Sequence, residues 1–253
     1  MNNNAICLFY SPQGGAGKTS LAVFTAYKAA SSGLRTLLVD MAIYGGVNSH
    51  LKLDTGSTEG VSDLISIINL GHANDINQFE EVLEASIHKE VEENLDVLIS
   101  ADPIKIESMS EIHVDAILEG LELREYDVII VDTSADLSEK NAVLFDRATQ
   151  IVMPVIQDIH CGWKLVQFKE VLRKCGIDDS KVRLIVNRCS KHNEFNNKEF
   201  ELETGFKIIG EMKDYKRKFQ NQINGGKGLL QIKNRGMVRE LSETALAVLS
   251  DTR

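Results

Sequence analysis

Between a short apolar segment and an alanine-rich segment, the chain reads Pro12-Gln13-Gly14-Gly15-Ala16-Gly17-Lys18-Thr19-Ser20. Glycines at this spacing let backbone N–H groups converge on an anion, and the first turn of a following helix adds positive potential. The lysine can reach the β- and γ-phosphates, and the threonine hydroxyl can ligate Mg²⁺. The stretch therefore predicts a loop that binds the phosphates of a nucleotide. A glycine-rich turn without a ligand is the alternative.

The segments on either side of this loop favour the phosphate-binding interpretation. Residues 5–10 are a short apolar run that predicts a strand, and residues 18–32 predict a helix that ends at Gly33. A strand, a glycine-rich loop and a helix in this order are the context that the motif requires.

Strand and helix patterns alternate along the rest of the chain. Further strands are predicted at residues 36–39, 95–99, 128–131, 151–156, 182–186 and 207–209, and further helices at residues 61–70, 78–91, 112–123, 140–147, 163–174 and 237–249. This alternation predicts an α/β fold, in which a mostly parallel sheet of about seven strands has helices on both faces and ligands at the carboxyl ends of its strands. With 253 residues, of which 43% are hydrophobic, we expect one domain over residues 1–253.

The charge balance argues against a surface that coats nucleic acid, because the formal net charge is −9. One basic cluster could still bind DNA or lipid, although a solvated face is the simpler interpretation. Its members are Lys213, Lys216, Arg217, Lys218, Lys227, Lys233 and Arg235. We expect no strong direct binding to DNA.

The four cysteines are scattered and include no C-x-x-C pair, so they predict neither a disulfide framework nor a zinc ribbon. His160 and Cys161 are adjacent and could ligate a metal, but an isolated pair is more often structural.

No run of about 18 apolar residues and no signal-peptide pattern is present. The final predicted helix lacks the basic face and the aromatic residues of a membrane anchor. A cytoplasmic protein without direct membrane insertion is therefore expected.

The phosphate loop resembles the deviant Walker A loop of the MinD/ParA family of P-loop ATPases, written K-G-G-x-G-K-[ST]-[ST]. Pro12 replaces the first glycine of the common form, and Gln13 stands where the family has an additional lysine that reaches phosphates across an ATP-sandwich dimer. The resemblance continues through residues 35–40, Arg-Thr-Leu-Leu-Val-Asp, and through residues 126–132, which look like the Walker B strand.

This resemblance implies ATP and Mg²⁺ as cofactors and a homodimer favoured by ATP. Cofactor-binding residues would be Gln13, Gly14, Gly15, Ala16, Gly17, Lys18, Thr19, Ser20, Asn187 and Arg188. Metal-site residues would be Thr19, Asp40 and Asp132, and catalytic residues Lys18 and Asp40. Asn187 would read adenine, whose N6 donor and N7 acceptor suit an amide. A strand-terminal turn residue is the alternative for Asn187.

Beyond Asp40 the chain is most similar to the CpaE/TadZ branch of that family, which serves Tad-type pilus assembly. Residues 39–47 resemble its D-x-D-x-x-F-G-D segment, residues 60–65 its G-x-x-D-L-L, residues 132–138 its D-x-P-x-x-L-S, and residues 182–188 its V-x-N-R strand. The similarity implies pilus or secretion assembly proteins as partners and recruitment to a cell pole or membrane machine. The branch has a receiver-like domain before this segment, and we expect this protein to lack it, since the first predicted strand begins at residue 5.

Two departures from the family pattern bear on catalysis. Ala42 takes the place of the second Asp of D-x-D, which orients the attacking water in the family, and Gln13 cannot neutralise phosphate charge. Phosphoryl transfer depends on positioning and on stabilising charge, so weak or absent hydrolysis is expected. The rival hypothesis is an active ATPase of the partition or division-site type that cycles on DNA or membrane. A metal-inserting or reductase relative would need metal ligands or dimer-face cysteines that the sequence does not offer.

Overall fold

One sheet of eight strands forms the centre of the molecule, in the order β3-β4-β2-β5-β1-β6-β7-β8. The computed structural model describes residues 4–53, 59–71, 76–189, 196–225 and 228–251, apart from the side chains of Ile76 and Lys216. The strands are β1 (Ala5–Phe9), β2 (Thr36–Met41), β3 (His88–Glu92), β4 (Leu95–Leu98), β5 (Val128–Thr133), β6 (Gln150–Ile156), β7 (Val182–Cys189) and β8 (Lys207–Lys213). All described strand pairs are parallel except β3 with β4.

The helices form a layer on each face of this sheet. They are α1 (Lys18–Ser31), α2 (Val47–Leu51), α3 (Val61–Asn69), α4 (Ile76–Ser86), α5 (Pro103–Glu107), α6 (Glu111–Glu122), α7 (Glu139–Arg147), α8 (Ile159–Cys175), α9 (Asn197–Thr204), α10 (Lys216–Asn224) and α11 (Arg235–Asp251). Helices α3, α6 and α8 contribute to one hydrophobic core, and α1 and α11 contribute to the other.

The alternation of side chains along each strand explains why there are two cores. Ile6 and Leu8 of β1 are buried in the first core, whereas Cys7 and Phe9 are buried in the second. Successive strand residues point to opposite faces, and both faces of a central parallel strand are covered by helices. The near-continuous apolar runs in the sequence follow from this double burial.

The predicted fold is confirmed, but the count of about seven strands was wrong. The additional strand β3 pairs antiparallel with β4 at the sheet edge and overlaps the end of residues 78–91, which the sequence predicted as one helix. Helix α4 ends at Ser86, and the Glu90 N–H then donates to Asp96 Oδ1 over 2.8 Å. Asn94 takes a φ of 63° in the connection that returns the chain. Pairing with β4 therefore overrides the helical periodicity.

The short helices α2, α5, α9 and α10 have no counterpart among the predicted elements. Residues 190–197 were predicted as a loop, of which 190–195 lie outside the described residues. Asn196 caps α9 by accepting from the Glu199 N–H over 3.0 Å, and Asn197 is the first residue of that helix. Across the described part of the chain, no helix is long and apolar enough to cross a membrane.

The strand order brings the predicted site residues to one edge of the sheet. Strand β1 lies between β5 and β6, and β2 lies beside β5. The phosphate loop follows β1. Asp40 and Asp132 are the second-to-last residues of β2 and β5, and Asn187 lies near the end of β7. Because parallel strands end on the same side, these residues converge although they are far apart in the sequence.

Candidate nucleotide-binding site

The phosphate loop owes its shape to glycines at two left-handed positions. Gly15 has a φ of 71° and Gly17 a φ of 100°, values that residues with a Cβ rarely adopt. A Cβ on Gly17 would lie 2.6 Å from Nδ2 of Asn187, so a close approach also requires glycine there. Gly14 and Gly15 are exposed, and a Cβ at either position would have no neighbouring atom within 4 Å. The rim of the loop, which Gly14 and Gly15 form, is therefore open to solvent.

A cavity of about 470 Å³ adjoins this loop. Its polar end is formed by Lys18, Thr19 and Ser20, with Asn187 and Arg188 from the end of β7. Most of the remaining wall comes from α10, α11 and the end of β8, and it includes the apolar residues Met212, Phe219, Ile223, Met237 and Leu241. The cavity thus combines a polar end at the phosphate loop with an apolar compartment large enough for a nucleoside.

Two carboxylates lie side by side behind the loop, because Asp40 and Asp132 are register partners on β2 and β5. Thr19 Oγ1 donates to Asp132 Oδ2 over 2.6 Å, whereas Asp132 Oδ1 is buried without a partner. Burial raises the pKa of Asp132, and the charge of Asp40 raises it further. A buried carboxylate oxygen without a donor, beside a hydroxyl, is the kind of oxygen set that Mg²⁺ accepts. These residues fit the metal.

Asp40 is held by backbone groups of the segment that follows β2. Its Oδ1 accepts from the Ala42 N–H and its Oδ2 from the Val47 N–H, each over 3.1 Å. Burial raises the pKa of Asp40, against the lowering effect of these N–H donors. Burial also lowers the pKa of the Lys18 ammonium, although the charges of Asp132 and Asp136 act in the opposite direction. An anionic ligand beside Lys18 would favour its charged form.

Asn187 and Arg188 hold the loop from β7. Asn187 Nδ2 donates to the Ala16 carbonyl over 2.8 Å, while its Oδ1 accepts from the Arg188 N–H. Arg188 Nη2 donates to the Gly15 carbonyl over 2.6 Å. Both side chains also line the cavity, so each contacts the loop and the space beside it.

The Gln13 side chain is engaged outside the cavity. Its Oε1 accepts from the Ile156 N–H over 3.0 Å, and its Nε2 donates to Asp158 Oδ2 over 3.2 Å. Asp158 in turn caps α8 by accepting from the Cys161 N–H over 2.7 Å. Gln13 therefore ties the start of the phosphate loop to the junction of β6 and α8.

The sequence interpretation missed His50, which lines the cavity from α2. Its Nδ1 lies 2.8 Å from the Gly46 carbonyl, and its Nε2 lies 3.0 Å from Ser20 Oγ. Because a carbonyl only accepts, Nδ1 carries the hydrogen and Nε2 accepts from the serine hydroxyl. Burial lowers the pKa of this imidazole, which favours the neutral form. A lone histidine has no sequence pattern that would have identified it.

The sequence interpretation also missed Asp158, Lys164 and α10. The α10 segment stood out in the sequence only for its basic residues, and its apolar contribution to the cavity depends on the path of the chain after β8. Among the described residues, no group of three or more His, Cys, Asp or Glu side chains could hold a metal. Burial raises the pKa of the Cys161 thiol to about 12, as expected for a structural cysteine.

Comparison with known proteins places this site in a family. The family described as an AAA domain, AAA_31, matches residues 4–175, which contain the phosphate loop, Asp40 and Asp132. The chain belongs to the AAA_31 family. An uncharacterized ATP-binding protein of Methanocaldococcus jannaschii is 32% identical over 121 residues, which cover 39% of this chain and 44% of that protein. The chain thus matches less than half the length of that relative.

Solved structures similar to this AAA_31 protein include two at nearly full coverage. A ParA family ATPase from Chlorobium tepidum has a TM-score of 0.80 at 18% identity and covers 96% of this chain and 99% of that one. The septum site-determining protein MinD of Pyrococcus horikoshii, complexed with Mg-ADP, has a TM-score of 0.76 at 17% identity, with 96% and 94% covered. The fold is that of MinD/ParA P-loop ATPases.

Proposed function

We propose that this protein binds ATP with Mg²⁺ in the cavity beside the phosphate loop and acts as a nucleotide-dependent, dimeric localisation factor with weak or absent hydrolysis. The observation that carries the proposal is the convergence of the loop, the Thr19–Asp132 pair and the cavity at one edge of the sheet. The Mg-ADP complex of the structurally similar MinD supports the choice of ligand.

Each group of the phosphate end has a distinct role in this proposal. Backbone N–H groups of the loop and the Lys18 ammonium bind the β- and γ-phosphates. Ser20, which follows Thr19 in α1, lines the same end of the cavity. Thr19 and Asp132 hold Mg²⁺, which neutralises phosphate charge when bound. Asp40 shapes the metal site from behind, because its oxygens accept N–H bonds from Ala42 and Val47.

The base and ribose occupy the apolar part of the cavity. Met212, Phe219 and Met237 provide apolar walls, and Asn187 and Arg188 lie between these walls and the phosphate end. Asn187 is the candidate reader of adenine, since it lines the cavity and its amide keeps a second N–H and a second oxygen lone pair beyond its bonds to Ala16 and Arg188. Its bond to the Ala16 carbonyl couples base recognition to the position of the loop.

Self-association is supported by exposed apolar side chains around the loop. Tyr44 follows β2, Leu137 follows β5, and Ile159 and Trp163 lie at the start of α8. Their exposed fractions are 87%, 57%, 59% and 68%. Large apolar side chains clustered at one edge mark an interaction surface, and a second copy that meets the open loop rim would cover them.

Weak hydrolysis follows from the residues around the phosphates. Ala42 offers no carboxylate to orient water, and the Gln13 amide is bonded to Ile156 and Asp158. A protein that binds ATP, pairs and turns over slowly suits the role of an assembly marker. The CpaE/TadZ-like segments suggest a Tad-type pilus or secretion machine as the partner, with recruitment from the cytoplasm to a pole or membrane machine through that partner.

An active partition- or division-site ATPase is the alternative. The similarity of the whole fold to a ParA family ATPase and to a MinD protein favours it. The absence of a carboxylate at position 42 favours the first proposal.

The decisive measurement is calorimetric titration of ATP and Mg²⁺ into the wild-type protein and Lys18→Ala. We expect wild-type affinity in the micromolar range, about −8 kcal/mol, and no detectable binding by the variant. Lys28→Ala, in the last turn of the same helix, is the matched control and should bind like the wild type. Equal affinities for wild type and Lys18→Ala would contradict the assignment.

A further inference from the structure

A cation from a distant helix contacts the outer side of the phosphate loop. Lys164, in the second turn of α8, donates from Nζ to the Pro12 carbonyl over 3.4 Å. Its side chain is exposed, and no carboxylate among the described residues forms a salt bridge with it. A charged group is thus held against the loop, and no carboxylate in the described part of the chain pairs with it.

Lys164 differs in position from the other cation that bonds to a loop carbonyl. Arg188, which bonds to Gly15, lines the nucleotide cavity, whereas Lys164 does not. The Lys164 ammonium therefore stands outside the compartment that would hold the chain's own nucleotide. Anions that it could meet must approach from the solvent side of the loop.

Gln13 leaves that side of the loop without a cation of its own. Both ends of its amide are bonded within the chain, to the Ile156 N–H and to Asp158. Gly14 and Gly15 add no side chains, and their Cβ positions are open. The backbone of a second copy can therefore approach Gly14 and Gly15 closely, and Lys164 is a charged group beside them that does not line the cavity, unlike Arg188.

We propose that Lys164 binds the phosphates of the nucleotide held by a second copy of this chain. The inference rests on the proposed ATP-dependent dimer and names the residue that recognises the partner's ligand. When two loop rims meet, the Lys164 ammonium leaves water, which is costly unless an anion pairs with it. The phosphates at the facing loop are the anions that such a contact offers, and removing one partner of a charge pair buried in an interface speeds dissociation and weakens the complex.

The test compares Lys164→Ala with Lys169→Ala. Both lysines lie on α8, and both donate to a carbonyl over 3.4 Å, but Lys169 contacts Gly205 away from the loop. Sedimentation with ATP and Mg²⁺ measures the dimer dissociation constant, and calorimetry on dilute protein measures the affinity of the single chain for ATP. We expect Lys164→Ala to weaken the dimer about tenfold or more and to leave single-chain affinity within about twofold of wild type. Lys169→Ala should match wild type in both.

The double variant Gln13→Lys/Lys164→Ala returns a lysine to the loop and should recover most of the lost dimer stability. Unchanged dimerisation of Lys164→Ala would overturn the inference, and so would a parallel loss of single-chain ATP affinity, which would assign the residue to its own nucleotide. Wild-type protein that binds ATP but stays monomeric would overturn the inference and leave nucleotide binding intact. Wild-type protein that does not bind ATP would instead overturn the proposed function.

Discussion

Gly17 satisfies two requirements that no other residue type meets together. Its φ of 100° is left-handed, and a Cβ would collide with Nδ2 of Asn187 at 2.6 Å. The left-handed conformation alone costs an alanine about 1–2 kcal/mol. The collision adds a displacement of Asn187 or of the loop, and both belong to the proposed nucleotide site.

Gly17→Ala should therefore abolish or severely weaken ATP binding, measured by calorimetry. Gly33→Ala is the matched control, because Gly33 has a φ of 87° and no atom within 4 Å of a built Cβ. We expect Gly33→Ala to lose about 1–2 kcal/mol of stability and Gly17→Ala to lose at least as much, and only Gly17→Ala to lose affinity. An ATP affinity of Gly17→Ala equal to that of the control would show that the loop does not need this close approach.

Ala42 is the residue to which we attribute slow ATP hydrolysis. Its N–H donates to Asp40, but its methyl group offers no proton acceptor for an attacking water. Ala42→Asp should raise the single-turnover rate of ATP hydrolysis by about tenfold through an oriented water. Ala42→Asn has the same shape without the charge and should remain as slow as wild type. A wild-type turnover of about 1 s⁻¹ or faster, within the range of ordinary enzymes, would refute the proposed role of this position.

At the scale of elements, the parallel pairing of β2 with β5 sets two carboxylates side by side. Asp40 and Asp132 are register partners, and burial raises the pKa of both. The folded protein therefore retains protons that the unfolded chain releases. The resulting stability is complete below the unfolded pKa of about 3.9 and is lost as the pH rises through the folded pKa, which is about 6 for Asp40.

The ligand-free protein should accordingly become less stable between about pH 5 and about pH 8, measured as the free energy of unfolding in urea. Asp132→Asn removes one carboxyl and the repulsion between the pair, so its stability should depend less on pH in this window. Asp146→Asn, an exposed change on α7, should retain the wild-type slope. Identical slopes for wild type and Asp132→Asn would argue against a buried, mutually repelling pair.

The whole molecule carries a net charge of −9. Of the basic cluster, Lys213 lines the cavity and Arg217 and Lys218 are exposed on α10, whereas Lys227 and the side chain of Lys216 lie outside the described residues. Long-range repulsion between the protein and a phosphate backbone opposes nonspecific binding. We expect no mobility shift with duplex DNA at physiological ionic strength. A salt-dependent shift that disappears in Arg217→Ala/Lys218→Ala, two exposed changes on α10, would favour the partition-type alternative.

The sequence by itself determined the strand–loop–helix unit. The glycines set the backbone geometry of the loop, and Lys18 and Thr19 follow directly in the first turn of the helix. It also determined the α/β class, since apolar runs and helical periods alternate along the chain. Asp40 and Asp132 could be predicted as a pair at one edge of the sheet, because both follow apolar runs in parallel strands. These features depend on residues that are close in sequence or on the common direction of the strands.

Only the tertiary structure decided how distant groups share the loop. Gln13 bonds to the junction of β6 and α8, His50 accepts from Ser20, and Lys164 reaches Pro12, and each contact depends on the relative positions of separate elements. The antiparallel strand β3 likewise depends on pairing with β4, which a helical periodicity cannot reveal. Local patterns encode the preferences of a segment, whereas its partners follow from the packing of the whole chain.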